Sequence, residues 1–151
     1  MSETPLTSSL LTPMLALIVW SLVMLVWTYA TRIPALGRAG VDPANAREPR
    51  ALDALPISVR QVGYNYNHLM EQPTIFYPTV IMLAVMGPGA LDVAMAWAYV
   101  FIRIVHSIWQ ATVNVVAIRF ALFILATSCL AALAVRAVLA TLLHDPSVVT
   151  G

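Results

Sequence analysis

The stretch from Leu10 to Thr31, LLTPMLALIVWSLVMLVWTYAT, decides the class of this protein because it contains no charged residue. A helix that crosses a bilayer needs about 20 mainly apolar residues, and this stretch supplies them. It is also too long for the apolar region of a signal peptide. The whole chain has the same character, with 60% hydrophobic and only 10% charged residues. We therefore expect an integral membrane protein whose first span begins near Leu10.

Three further apolar segments follow, and turn residues separate them. The strongest turn signal is the Gly-Pro-Gly sequence from Gly87 to Gly89. Pro73 and Pro78 fall inside one segment and should kink it or loosen its hydrogen bonds, because proline cannot donate the helical hydrogen bond. The sequence thus predicts an all-α, four-transmembrane-helix bundle that forms a single domain over residues 1–151. The predicted helices lie at about 10–31, 58–86, 90–111 and 118–143.

Arginine supplies every basic residue of the chain, and its distribution predicts the orientation in the membrane. The only sizeable hydrophilic loop, between the first two spans, contains Arg32, Arg38, Arg47 and Arg50. Cytoplasmic loops are enriched in basic residues, so we expect this loop to be cytoplasmic and both termini to be periplasmic. A chain with arginine but no lysine fits a GC-rich bacterial genome, which favours a bacterial inner membrane. Arg136 lies on the other side, and we expect it to snorkel to the interface.

Polar residues within the second and third predicted spans fall on one side of each helix. At about 100° per residue, those of the second span lie within about 60° of one another. They are Arg60, Tyr64, Asn67, Glu71 and Thr74. The stripe on the third span consists of Asp92, Tyr99, Arg103, His106, Ser107, Gln110 and Asn114. An ionisable residue inside a span costs several kcal/mol unless it is paired or faces water, so the stripes should face one another or a shared cavity.

Two interpretations of these stripes remain open. In the first, Glu71 pairs with Arg103 or Arg60, Asn67 bridges them, and the buried pairs only hold the bundle together. In the second, the stripes line a functional site. Hydrogen bonds between membrane helices average only about 0.6 kcal/mol, which is small compared with the cost of burying so many charged groups. We therefore favour a site.

The charges of the predicted site favour an anionic ligand. Arg60, Arg103 and Arg119 lie toward the predicted cytoplasmic half, against a single intramembrane glutamate. Guanidinium groups bind carboxylates through charge-assisted hydrogen bonds. The amide of Asn67 both donates and accepts, which suits a peptide-like molecule.

Other kinds of ligand fit this sequence poorly. His68 lies at the edge of its stripe, where we expect it to be a packing or interface residue. It forms no evident set of ligands with His106 and Glu71, so no metal site is predicted. No basic segment suits a nucleic-acid backbone, and no nucleic-acid partner is expected.

Three motifs in these helices resemble the MAPEG family, the membrane-associated proteins in eicosanoid and glutathione metabolism. The family's second helix carries an arginine, then an asparagine and a glutamate, matched here by Arg60, Asn67 and Glu71 in VRQVGYNYNHLMEQPTIFYP. Its third helix carries Arg-x-x-His, matched by RIVH from Arg103 to His106. A further arginine opens the fourth helix, matched by Arg119. The resemblance spans all four predicted helices.

The resemblance implies a homotrimer that binds glutathione between neighbouring subunits near the cytoplasmic side. Arg119 would be the catalytic residue, because an adjacent guanidinium favours the thiolate form of glutathione. The thiolate would attack a lipophilic electrophile, or reduce a lipid hydroperoxide, that arrives from the membrane lipid. The residues expected to line or brace the glutathione site are Arg60, Tyr64, Asn67, Glu71, Arg103, His106 and Gln110.

The sequence also departs from the family pattern. Gly63 stands where active members carry a second arginine, and Gln110 stands where a tyrosine is frequent. Loop residues Arg47 or Arg50 are candidates to replace the missing charge. These departures keep two alternatives open. One is a catalytically inactive scaffold or accessory subunit of a larger membrane complex, and the other is a lipid- or quinone-binding membrane protein.

Overall fold

The computed structural model describes residues 6–41 and 49–143, and throughout these two ranges the regular structure is helical, with no strand. Four helical segments are long and apolar enough to cross a membrane, in agreement with the predicted integral membrane bundle. A short 3₁₀ helix, Pro49–Ala54, precedes the second of them. The α-helices are α1 (Leu6–Arg38), α2 (Ile57–Glu71), α3 (Pro73–Met86), α4 (Ala90–Thr112) and α5 (Val116–Leu142).

The first span differs most from its predicted length, because α1 continues past Thr31 to Arg38. It contains Pro13 and Pro34 without ending at either. The α1 extension carries Arg32 and Arg38 out of the predicted loop and onto the helix. Arg47 and both termini lie outside the described residues.

The second span is divided into α2 and α3 at Gln72 and Pro73, which agrees with the interruption predicted at Pro73, whereas Pro78 lies inside α3 without ending it. Pro73 has no N–H, and the carbonyl of Leu69, four residues earlier, therefore lacks its usual helical donor. The guanidinium of Arg103 on α4 fills this gap, with Nη2 donating to the carbonyls of Leu69 (3.2 Å) and His68 (3.0 Å). The helix break is thus stabilised from a neighbouring helix, as membrane proteins require.

Helix α4 lies at the centre of the bundle and contacts α1, α2 and α5. The fully buried side chains include Leu17 and Met24 of α1, Phe76 of α3 and Leu133 of α5. The ring of Phe76 stacks on that of Tyr99 of α4, with centroids 4.4 Å apart. Polar residues of α4 are buried beside this apolar core, which brings the third-span stripe into the interior.

An ion pair joins α4 to α5 at the end of the bundle near the Gly-Pro-Gly turn. The carboxylate of Asp92 accepts from Nε and Nη2 of Arg136, the second contact at 3.1 Å. Oδ2 of Asp92 also accepts from the backbone N–H of Gly89 at 2.8 Å and so caps the start of α4. The side chain of Arg136 remains 40% exposed while it pairs with this buried carboxylate, so Arg136 has a partner within the protein and its snorkelling to the interface stays a prediction.

Candidate functional site

The α4 stripe is buried along most of its length. Its buried members are Asp92, Tyr99, Arg103, His106, Ser107 and Gln110, and Arg103 is completely inaccessible to solvent. Asn114 follows the helix in the turn before α5 and is partly exposed. Burying a charged guanidinium is costly unless its donors are satisfied. The hydrogen-bond partners of Arg103 therefore indicate whether the stripe is only structural or forms a site.

Arg103 satisfies only part of its hydrogen-bonding capacity. Nη2 reaches two backbone carbonyls, but buried Nε and Nη1 have no partner among residues 6–41 and 49–143. On the same face of α4, Nε2 of His106 and Oε1 of Gln110 are also buried without a partner in the described chain. Unsatisfied groups at such density are rare in a finished core, and they are typical of a site that a ligand completes.

The α2 stripe lies on the opposite side of its helix from the direction predicted. Tyr64, Asn67, Glu71 and Thr74 are exposed on the surface of the protomer and do not face α4. Other α2 residues contact α4, among them Asn65, whose Nδ2 donates to Oγ of Ser107 at 2.7 Å, and His68, whose ring contacts that of His106. Periodicity correctly assigns residues to one face, but it does not say which neighbour that face meets.

The predicted ion pairs of Glu71 are consequently wrong. Oε2 of Glu71 lies 2.9 Å from Nδ1 of His68, one turn earlier on the same helix. Nη1 of Arg60 donates instead to Oδ1 of Asp53, also at 2.9 Å, beside the 3₁₀ helix. Local partners are thus within reach of both side chains, and the bridge predicted for Asn67 does not form.

A cavity of about 300 Å³ lies between α2, α4 and the start of α5. His106 and Gln110 line it from α4, and His68 lines it from α2. The α5 wall consists of Val116, Arg119, Phe120 and Phe123. The cavity therefore combines imidazole, amide and guanidinium groups with an aromatic wall, which suits an amphipathic ligand.

Arg119 is held at this wall by the turn between α4 and α5. Asn114 adopts a left-handed conformation with φ of 54°, which asparagine tolerates better than most residues. Its N–H donates to the carbonyl of Trp109 at 2.8 Å. Its side-chain Oδ1 accepts from Nη1 of Arg119 at 2.9 Å. The turn thus fixes one side of the guanidinium and leaves the other donors available.

His68 makes packing contacts, as predicted, and in addition lines the cavity. Its ring lies 5.3 Å from the ring of His106 and 5.2 Å from that of Phe123, measured between centroids. It joins the predicted residues His106, Gln110 and Arg119 at one cavity. The sequence signal for this role is the spacing of three residues between His68 and Glu71, which allows contact on one helix face.

Arg32 is a second residue that sequence reasoning missed. Gly63 packs against its guanidinium so closely that a Cβ at position 63 would collide with Nη2. The position that lacks the family's second arginine therefore has a guanidinium beside it, contributed by α1. The side chain of Arg50 and all of Arg47, proposed above for this purpose, lie outside what the structure describes.

A second cavity, of about 590 Å³, lies between the end of α1 and the start of α2. Arg38 and Ser58 are among its lining residues, together with Thr31 and Pro34. It contains none of the predicted site residues. Across the described ranges, no group of three or more His, Cys, Asp or Glu side chains is arranged to hold a metal ion.

Comparison with known proteins gives one positive result. No curated protein and no solved structure is similar enough to this chain to count as a match. The sequence model of the MAPEG family matches residues 10–139, a range that includes α2, α3, α4 and most of α1 and α5. This integral membrane protein with four spanning segments therefore belongs to the MAPEG family.

Proposed function

We propose that this protein is a glutathione-dependent membrane enzyme that conjugates lipophilic electrophiles or reduces lipid hydroperoxides. The observation that carries the proposal is the cavity in which Arg119, fixed by Asn114, stands opposite His68 and beside an aromatic wall. Family membership supports the same chemistry, since it relates the protein to membrane-bound glutathione and eicosanoid metabolism.

The charges around the cavity match glutathione, an anionic tripeptide thiol. Buried Arg103 lies one turn from His106 on α4, and within the described chain its Nε and Nη1 have no acceptor. Arg103 is fully buried and does not line the cavity, so it would favour an anionic ligand there through its positive charge and not by direct contact. Arg119 would stabilise the thiolate, because a neighbouring positive charge favours the ionised sulfur. The side chains of Phe120 and Phe123 would receive the lipophilic substrate from the bilayer.

The exposed stripe on α2 supports a homotrimer with the ligand between subunits. Tyr64 is 55% exposed, and Asn67 and Glu71 are also exposed on the single protomer. Polar and charged groups facing lipid inside a membrane span are costly. A neighbouring protomer that covers this stripe would remove the cost and add Arg60, Asn67 and Glu71 to the intersubunit site. We also propose that the end of the bundle with Arg32 and Arg38 of α1 and the connection to α2 is cytoplasmic, with both termini periplasmic, because basic residues are enriched on the cytoplasmic side. The membrane would be a bacterial inner membrane.

Calorimetric titration with glutathione in detergent tests the proposal directly. We expect the wild-type protein to bind glutathione, and we expect Arg119→Ala to reduce conjugation of a lipophilic electrophile far more than it reduces binding. Arg38→Ala is the matched control, since it removes an arginine at the other cavity. Absence of binding at millimolar glutathione would refute the proposal. Binding without any turnover would favour the accessory-subunit alternative.

A further inference from the structure

His68 and Glu71 form a carboxylate–imidazole pair at the edge of the cavity that contains Arg119. Nδ1 of His68 and Oε2 of Glu71 are 2.9 Å apart, and the His68 ring lines the cavity. The glutamate side chain is 64% exposed and the histidine side chain 27%. The pair is therefore partly accessible and not sealed in the core.

The hydrogen bond fixes which nitrogen of His68 carries the proton. A carboxylate only accepts hydrogen bonds, so Nδ1 must be the donor. In the neutral ring the lone pair is then on Nε2, which is free to accept a proton. Orientation of a histidine base by a carboxylate on its other nitrogen is a recurrent arrangement in hydrolases, where the carboxylate also stabilises the imidazolium that forms.

We propose that His68, oriented by Glu71, is the general base that takes the thiol proton of the substrate in this cavity. The inference rests on the proposed glutathione chemistry and adds the group that receives the proton. The S–H bond breaks, its electron pair stays on sulfur, and a new N–H bond forms at Nε2 of His68. The thiolate remains beside Arg119, and the imidazolium remains beside Glu71. After the sulfur attacks the electrophile, the proton returns to the leaving group or to the carbanion formed by addition.

The surroundings of His68 distinguish it from the neighbouring histidine. The charged and titratable groups that face it are Glu71 on its own helix, Arg103 and His106 on α4, and Arg119 on α5. His106 is 1% exposed, and its Nε2 is buried. No carboxylate contacts His106 in the described chain. His68 alone of the two histidines thus combines a carboxylate partner with access to the cavity.

Two substitutions of His68 test the proposal in the full-length protein. His68→Gln keeps an amide that can donate to Glu71 but cannot take the proton. His68→Gly leaves a space in which added imidazole can act. We expect both to lower kcat/KM for conjugation by about 10²-fold or more, the usual effect of losing a general base. Glutathione binding, measured separately by calorimetry, should change much less.

Chemical rescue distinguishes proton transfer from packing. Imidazole should restore activity to His68→Gly, and a series of substituted imidazoles should do so in order of their basicity. Pyrrole has a similar ring without a basic nitrogen, and it should not restore activity. Imidazole should also fail to restore Arg119→Ala, whose missing group is not a base.

The outcomes separate the failure of this inference from the failure of the proposed function. If wild-type protein does not bind glutathione, the proposed function fails and the base has no substrate. If glutathione binds and both His68 variants keep wild-type kcat/KM, only the inference fails. Equal rescue by pyrrole and imidazole would likewise overturn it, because space filling would then account for the loss.

Discussion

Replacing Arg103 with methionine should cost more stability, or gain less, when Pro73 is present than when Pro73 is replaced with alanine. Nη2 of Arg103 donates to the carbonyl of Leu69, the acceptor that Pro73 leaves without a helical donor. Arg103→Met therefore leaves a buried carbonyl unpaired. With Pro73→Ala, the new N–H at position 73 can bond to Leu69, and the guanidinium is no longer the only donor.

The size of the coupling follows from the environment of this hydrogen bond. Hydrogen bonds between membrane helices average about 0.6 kcal/mol and reach about 1.7 kcal/mol. An unpaired buried carbonyl costs about 1–3 kcal/mol. Because Leu69 has no alternative helical donor in the wild type, we expect a coupling free energy of about 1–2 kcal/mol. The two single substitutions, the double substitution and the wild type form a double-mutant cycle. The cost of burying the guanidinium and the change in volume at Pro73 contribute equally to both sides of this cycle, so they cancel in the coupling free energy.

Equilibrium unfolding of the four proteins in mixed micelles, followed by helical circular dichroism, measures this coupling. Pro78→Ala is the matched control, because Pro78 lies in α3 and leaves the carbonyl of Thr74 without a donor, an acceptor that Arg103 does not contact. Independent substitutions usually add within about 0.3–0.5 kcal/mol. Additivity of the Arg103 and Pro73 substitutions within that margin, or an equal coupling to Pro78, would refute the assigned role of the guanidinium.

Substitutions at three further positions test contacts at the site and elsewhere in the bundle. Gly63→Ala should stabilise by up to about 1 kcal/mol, the usual gain of alanine over glycine in a helix, because its Cβ meets only the end of the flexible Arg32 side chain, which can move aside. A marked fall in the melting temperature in detergent would show instead that the Arg32 guanidinium is held firmly against position 63. In Asn114→Gly, glycine can adopt the left-handed φ, so the melting temperature should stay nearly unchanged. The hydrogen bond from Arg119 to Oδ1 is lost, so Arg119 is no longer fixed and turnover should fall. Asp92→Asn should lower the melting temperature because it removes the charge that pairs α4 with α5, and Asp92→Ala should lower it further because the cap on Gly89 is also lost.

The spans could be predicted from the sequence because the bilayer sets one simple condition, a run of apolar residues of sufficient length. An interruption of the second span was also predictable, since a proline removes a helical hydrogen-bond donor. Its position at Pro73 was not, because Pro13, Pro34 and Pro78 also lack this donor and lie inside uninterrupted helices. The added length of α1 could not be predicted, because an arginine and a proline at positions 32 and 34 are typical of the start of a loop when only composition is considered. Helix continuation there depends on packing against α2, which composition does not encode.

The site was predicted less completely, for a geometric reason. Helical periodicity groups Tyr64, Asn67 and Glu71 on one face, and the structure agrees, but the neighbour of that face depends on the rotation of α2 about its axis. The same rotation brings Asn65 and His68 toward α4. Contacts such as Arg32 against Gly63, or Arg136 with Asp92 forty-four residues away, depend on the register between helices. No periodic pattern within one helix contains that register.

The helix break and the site depend on one another through Arg103. Pro73 frees a carbonyl inside the membrane, and the guanidinium that satisfies it must be buried in the centre of α4. Only one of its nitrogens is used for this purpose, so the residues described by the structure leave Nε and Nη1 without acceptors. A membrane protein tolerates such an excess of buried positive charge best when an anion completes it. The carbonyl freed by Pro73 therefore binds the guanidinium of Arg103 close to His106 and His68. The same guanidinium provides positive charge that would favour the proposed anionic ligand.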